Sequence, residues 1–226
     1  QDGTNVVEAA DFSTSYTINT LTTTNDAVIN GLTVGKGANA VATNTVLGDD
    51  ALDAAVTGGS NVAVGYQSLT ANTSGASNTA VGRESLSANT TAAQNTATGM
   101  YALRQTTTGG NNVAMGYASL ITNTTGIGNV ALGHNSLYAS TTSSNNTALG
   151  TNALVANTTG AANTALGSGA LDTNTTGATN TAVGYLSSFT NLSGTNNVSV
   201  GQRSLYSNTT ADNNVAVGKE SLYANT

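Results

Sequence analysis

The sequence predicts an all-β fold, a parallel β-solenoid flattened into a β-roll of 17-residue coils, and three observations carry that prediction. Asn stands at position one of every 17 residues from Asn44 to Asn214, and Gly stands at position five from Gly48 to Gly218, with no insertion or deletion. Positions two to four read Thr/Val-Ala-Val/Leu, an alternation of period two that suits a strand and does not fit the i, i+3, i+4 spacing of a helix. Positions twelve to fifteen read Asn-Thr-Thr-Gly, which is bend chemistry because Asn and Gly accept positive φ at little steric cost. Fixed short periodicity marks a solenoid, in which each repeat buries its apolar positions against the coils beside it.

Taken in chain order, residues 1–43 lie outside the repeat and are read as an N-terminal cap, a connector or a donated strand. Within them, Tyr16–Leu21 and Ala27–Val34 have strand character. Residues 44–226 then form ten full repeats and one partial repeat. Each coil is expected to hold two short strands and two corners, with apolar residues at positions two, four and nine. Leu occupies position nine in ten of the eleven copies, the exception being Ser188, which Phe189 follows.

Stacked coils align equivalent residues in ladders. Asn61, Asn78, Asn95 and Asn112 are expected to form an Asn ladder, Leu69, Leu86, Leu103 and Leu120 a Leu ladder, and Gly65, Gly82, Gly99 and Gly116 a corner column. Ala63, Ala80, Ala114 and Ala131 line a thin small-residue column. At about 4.8 Å per coil the rod is about 50 Å long. Its core is so narrow that apolar burial alone does not offset the entropy of ordering each coil. Backbone bonds, Asn ladders and association between chains are therefore expected to supply the rest, which predicts a homo-oligomer or polymer.

Composition narrows the function. Charged residues make up 7% of the chain, the net charge is -6, and the five basic residues are scattered, so no basic patch is present to neutralise nucleic-acid phosphates. No apolar run approaches the roughly 18 residues of a membrane span. The first residue is Gln1 rather than Met, which we read as a mature end left by export. The expected location is extracellular or at the cell surface, with a virion as the alternative.

Counting the repeat from Thr226, at position thirteen, onto a second copy places Gln1 to Thr4 at positions fourteen to seventeen and Asn5 at position one. Asn5-Val6-Val7 then resembles Asn61-Val62-Ala63, although Glu8-Ala9-Ala10-Asp11 departs from the motif. This phase agreement suggests head-to-tail polymerisation, with Asn5, Val6, Val7, Asn214, Val215, Leu222 and Thr226 at the assembly interface.

The segment Asp26-Ala27-Val28-Ile29-Asn30-Gly31-Leu32-Thr33-Val34-Gly35-Lys36-Gly37, followed by the Asn-Thr-Val-Leu-Gly and Asn-Thr-Ala-Val-Gly coils, resembles repeat regions of bacteriophage tail fibres and of secreted bacterial surface proteins. The Asn-x-Ala-Val-Gly-x-x-Ser core is also similar to the head repeats of trimeric autotransporter adhesins. These resemblances imply a structural shaft or an adhesive surface with no catalysis in the repeats.

A search for chemistry agrees with that reading. No nucleophile elbow, phosphate loop or recurring carboxylate pair is present, so no catalytic residue, cofactor or enzyme activity is expected. His134 is the single histidine and lacks partners for a metal. Asp49, Asp50 and Asp53 are read as a solvated first-coil cap rather than a Ca²⁺ site, so no metal site is expected. Tyr66, Tyr117 and Tyr185 at position six, and Tyr138, Tyr206 and Tyr223 at position ten, suit stacking on surface glycans or packing between chains. Asn72, Asn89, Asn123, Asn157, Asn174, Asn191 and Asn208 begin sequons and are read either as glycan acceptors or as a repeated corner. Thr73, Thr90, Thr107, Thr124, Thr141, Thr158 and Thr175 form a hydroxyl column similar to those of ice-binding solenoids. The expected function is a self-assembling structural subunit of an extracellular fibre for attachment or matrix, with a trimeric tail-fibre shaft and an ice-binding solenoid as alternatives.

Overall fold

The computed structural model describes residues 27–29 and 32–225, with side chains from residue 32 onward. The expected strand at Tyr16–Leu21 and the interface residues Asn5, Val6, Val7 and Thr226 lie outside the described residues. The described chain is a β-solenoid carrying one sheet of thirteen strands in sequential order. Strand β1 (Ala27–Ile29) pairs antiparallel with β2 (Leu32–Gly35), so Ala27–Val34 is a hairpin rather than one strand. Strand β2 pairs antiparallel with β3 (Thr45–Leu47), covering the edge of the first coil. A short 3-10 turn, Ala38–Ala40, leads into that coil.

From β3 onward every coil contributes its positions two to four as one three-residue strand. These are β4 (Val62–Val64), β5 (Thr79–Val81), β6 (Thr96–Thr98), β7 (Val113–Met115), β8 (Val130–Leu132), β9 (Thr147–Leu149), β10 (Thr164–Leu166), β11 (Thr181–Val183), β12 (Val198–Val200) and β13 (Val215–Val217). All are parallel and paired in the register of the repeat, as in Ala63 with Ala80 and Ala80 with Ala97. Register is fixed because a slip of one residue would turn the small buried residue of position three outward.

The sequence suggested two strands per coil, and the structure has one. The opposite side is a run of turns in which positions seven and nine are left-handed whatever residue they hold, for example Gln67 (φ 54°), Leu69 (φ 52°), Glu84 (φ 53°) and Leu86 (φ 51°). Alternating signs of φ forbid a pleat. They still send N–H groups to the next coil, with Leu69 N donating to Ser85 O at 3.1 Å, Ala71 N to Ser87 O at 3.1 Å and Thr73 N to Thr90 O at 2.9 Å. Both sides of the solenoid are therefore hydrogen-bonded between coils.

The core is two columns wide. Leu69, Leu86, Leu103, Leu120, Leu137 and Leu154 are fully buried, and so is the Ala column from Ala63 to Ala182. Position four departs from expectation: its apolar side chains point outward from the sheet, as in Met115, Leu149 and Leu166. Strand alternation decides this, since position three already takes the inward face.

Candidate functional site

Three polar columns and one apolar face define the surface and its supports. Position one is a buried ladder in which each Asn is bonded to the coils on both sides. Asn78 N donates to Asn61 Oδ1 at 3.0 Å, and Asn61 Nδ2 donates to Gly75 O at 2.9 Å. The pattern continues through Asn95 and Asn112, whose N–H groups reach Asn78 Oδ1 and Asn95 Oδ1.

Position twelve is a second buried Asn ladder, made by the residues that begin the sequons. Asn89 Nδ2 donates to Asn72 Oδ1 at 2.8 Å, and Asn191 Nδ2 donates to Asn174 Oδ1 at 2.8 Å. Asn72, Asn89, Asn123, Asn157 and Asn174 have no exposed surface. The amide nitrogens that would carry glycans are committed inside the solenoid, which overturns the acceptor reading and leaves the repeated corner. Thr106 and Ser140 interrupt this ladder, and the buried Oδ1 atoms of Asn89 and Asn123, each one coil before an interruption, find no donor.

Position thirteen is the threonine column. The Oγ1 atoms of Thr73, Thr90, Thr107, Thr124 and Thr158 donate to carbonyls of the next coil at 3.0 to 3.2 Å. These hydroxyls brace the backbone instead of presenting donors to a surface. Thr73 is exposed while the rest of this column is half-buried, and a further exposed row stands one residue on, at Thr91, Thr108, Thr125, Thr142, Thr159 and Thr176.

The apolar face is the outer side of β3–β13. Position four is Leu, Val or Met in every coil except at Thr98, while position two is Thr in six coils and Val in five; none of these residues is charged, and Leu149 and Leu166 are each 42% exposed. Single exposed apolar residues are ordinary, whereas a continuous stripe marks an interaction surface. At β13 the same columns are barer, with Val215 at 67% and Val217 at 68%. Leu222 is 48% exposed although its counterparts are buried, because no described coil covers it. Asn214 still donates to Asn197 Oδ1.

Aromatic side chains stack along the rod rather than standing free. Tyr117 and His134 lie with ring centroids 5.3 Å apart and 12° between planes, and Tyr101 meets Tyr117 edge-on at 5.9 Å. Phe189, Tyr206 and Tyr223 form a second stack, at 5.4 and 5.0 Å. Tyr66, Tyr138 and Tyr185 are exposed, and the stacked Tyr117 and Tyr223 also keep an exposed face. Among the described residues no group of three or more His, Cys, Asp or Glu side chains stands where a metal ion could be held, Asp49, Asp50 and Asp53 included.

A cluster that the sequence reading passed over joins Arg83, Glu84 and Arg104. Arg83 Nε donates to Glu84 Oε1 at 3.1 Å, and Arg104 Nη2 to Glu84 Oε2 at 2.8 Å. The signal was present, since these are the only charged residues between Asp53 and Asp172. Their meeting was hidden because it depends on positions six, seven and ten of adjacent coils facing one another.

No protein-family model, curated protein or solved structure matches the chain. No helix among the described residues is long and apolar enough to cross a membrane.

Proposed function

We propose that this chain is a non-enzymatic structural subunit of an extracellular fibre, self-assembling through its solenoid and serving in attachment or as matrix. The observation that carries the proposal is the uncharged apolar outer face of β3–β13. Eleven rungs at about 4.8 Å and three residues at about 3.3 Å give a face of about 500 Å². That is smaller than the roughly 800 Å² per partner of a standard interface, and position six beside it is mixed, with Tyr66, Tyr117, His134 and Tyr185 but also Asp49, Arg83 and Lys219. A second copy has the same rung spacing and so meets every rung of the first in the same phase. A partner without that repeat drifts out of step within a few coils.

A second contact is open at the end of the rod. The outer edge of β13 would accept another parallel strand, from a continuation of this chain or from another copy.

Light scattering coupled to size exclusion, with negative-stain microscopy of the same sample, tests the proposal. Lateral pairs, or filaments much longer than the rod, are the expected result, and Leu149→Glu with Leu166→Glu should dissociate the lateral form. Discrete trimers without elongation would favour the tail-fibre shaft. Monomeric short rods at high concentration would reject self-assembly.

A further inference from the structure

The chemistry of the repeat changes abruptly between its second and fourth coils. Positions seven and ten of the three coils that follow hold Ala118, Ile121, Asn135, Tyr138, Asn152 and Val155, and charge returns there only at Asp172, Arg203 and Glu220, whereas here they hold Glu84 and Arg104. Glu84 is 7% exposed, yet it is not in the core. Both arginines hold it, and the arginines are themselves held by aromatic rings. The Arg104 guanidinium lies 5.0 Å from the Tyr101 ring centre, and that of Arg83 lies 5.7 and 6.0 Å from the centres of Tyr66 and Tyr101. The arginines keep 55% and 44% of their side chains exposed while Glu84 keeps 10%, and the neighbouring coils fold without such a pair.

The cluster forms part of the wall of an open cleft of about 410 Å³, with Gln67, Thr70, Ser87 and Gln105 beside Glu84 and Arg104. The cleft is shallow and its lining mostly polar, so it would hold a ligand by hydrogen bonds rather than by enclosure. The wall also specifies a ligand chemistry. A free anion would meet the Glu84 carboxylate, and a metal cation would meet the Arg104 guanidinium. A sugar hydroxyl is donor and acceptor at once, as are the two carboxamides and two hydroxyls of this wall.

We propose that the cleft between Gln67 and Gln105 is a saccharide-binding site, in which the fixed Glu84–Arg104 pair supplies one acceptor and one donor to the hydroxyls of a neutral sugar. The site gives the attachment role proposed above a ligand class, and it rests on that reading. The fibre itself does not depend on the site.

Saturation-transfer NMR on the full chain, with cellobiose, lactose and diacetylchitobiose as probes at millimolar concentration, tests the assignment. At least one disaccharide should bind. Glu84→Gln should weaken it about ten-fold, the loss expected for one charge-assisted hydrogen bond, and the exposed Gln105→Ala about three- to ten-fold, the loss expected for a neutral one. Leu192→Ala, at an exposed position far along the rod, should leave binding unchanged. Circular dichroism of each variant confirms that the coil is intact. No binding by any of the three probes, or binding that survives both cleft variants, overturns the site. So does displacement of the sugar by inorganic phosphate or Ca²⁺ acting at the same residues. Microscopy of the same samples keeps the outcomes apart, since filaments without sugar binding reject the site alone.

Discussion

Asn95 donates its backbone N–H to Oδ1 of Asn78 at 3.0 Å, so the side chain of one coil terminates the backbone of the next. Asn95 repeats the relation upward. Its Oδ1 accepts from Asn112 N at 2.9 Å, and its Nδ2 donates to Gly109 O at 3.0 Å. Asn95→Ala removes both functions and leaves two buried backbone groups without partners, at about 1 to 3 kcal/mol each. Thermal denaturation followed by circular dichroism should show a drop of roughly 5 to 20 °C, at about 2 to 4 °C per kcal/mol for a chain of this size. A change of a degree or less would mean that the ladder is ornamental.

Much of this was legible in the sequence, because a ladder requires the same residue at the same place and the repeat supplies it at Asn61, Asn78, Asn95 and Asn112. The left-handed turns were not legible. Nothing in a leucine announces φ near 50°, yet Leu69 and Leu86 adopt it because the neighbouring coils constrain them. Hydrophobicity also misled at position four, where Leu149 and Leu166 face outward: the alternation gives two faces and does not say which is covered. The meeting of Glu84 with Arg104 depends on contacts between coils, which a residue-by-residue reading does not follow.

The one coil that lacks its leucine has a matched change beside it. Ser188 replaces Leu at position nine, and Ser199 of the next coil replaces Ala at position three. The two hydroxyls bond at 2.8 Å, and Ser187 joins Ser199 at 2.7 Å. Ser199→Ala alone should destabilise by about 1 to 3 kcal/mol by stranding buried hydroxyls. Ser188→Leu with Ser199→Ala restores the pattern of the other coils and should recover that loss. The double-mutant cycle reads the coupling directly, and additive effects would show that the two replacements are independent.

Gly99 and Gly218 share a corner conformation, with φ of 127° and 118°, but not a neighbourhood. A Cβ on Gly99 would stand 2.6 Å from Gly116 O and 2.8 Å from its carbonyl carbon, whereas one on Gly218 meets nothing within 4 Å. Both alanine variants bear backbone strain of about 1 to 3 kcal/mol. Only Gly99→Ala must also push two coils apart. Chemical denaturation should therefore find Gly99→Ala clearly the less stable of the two, and equal losses would assign the glycine column to backbone conformation alone.

Asp172 stands at position ten between coils, and burial raises its carboxyl above the ordinary value of 3.8. The folded chain therefore holds this proton more tightly than the unfolded chain does. Its stabilising effect is complete below pH 3.8 and is lost as pH rises through the raised value, so at neutral pH the ionised group weakens the fold. Asp172→Asn substitutes a side chain that never ionises. Its melting temperature should exceed that of the parent at neutral pH, and the gap should close as the pH falls to about 3, where both are uncharged. A gap that persists in acid would assign the gain to hydrogen bonding by the amide rather than to relief of a buried charge.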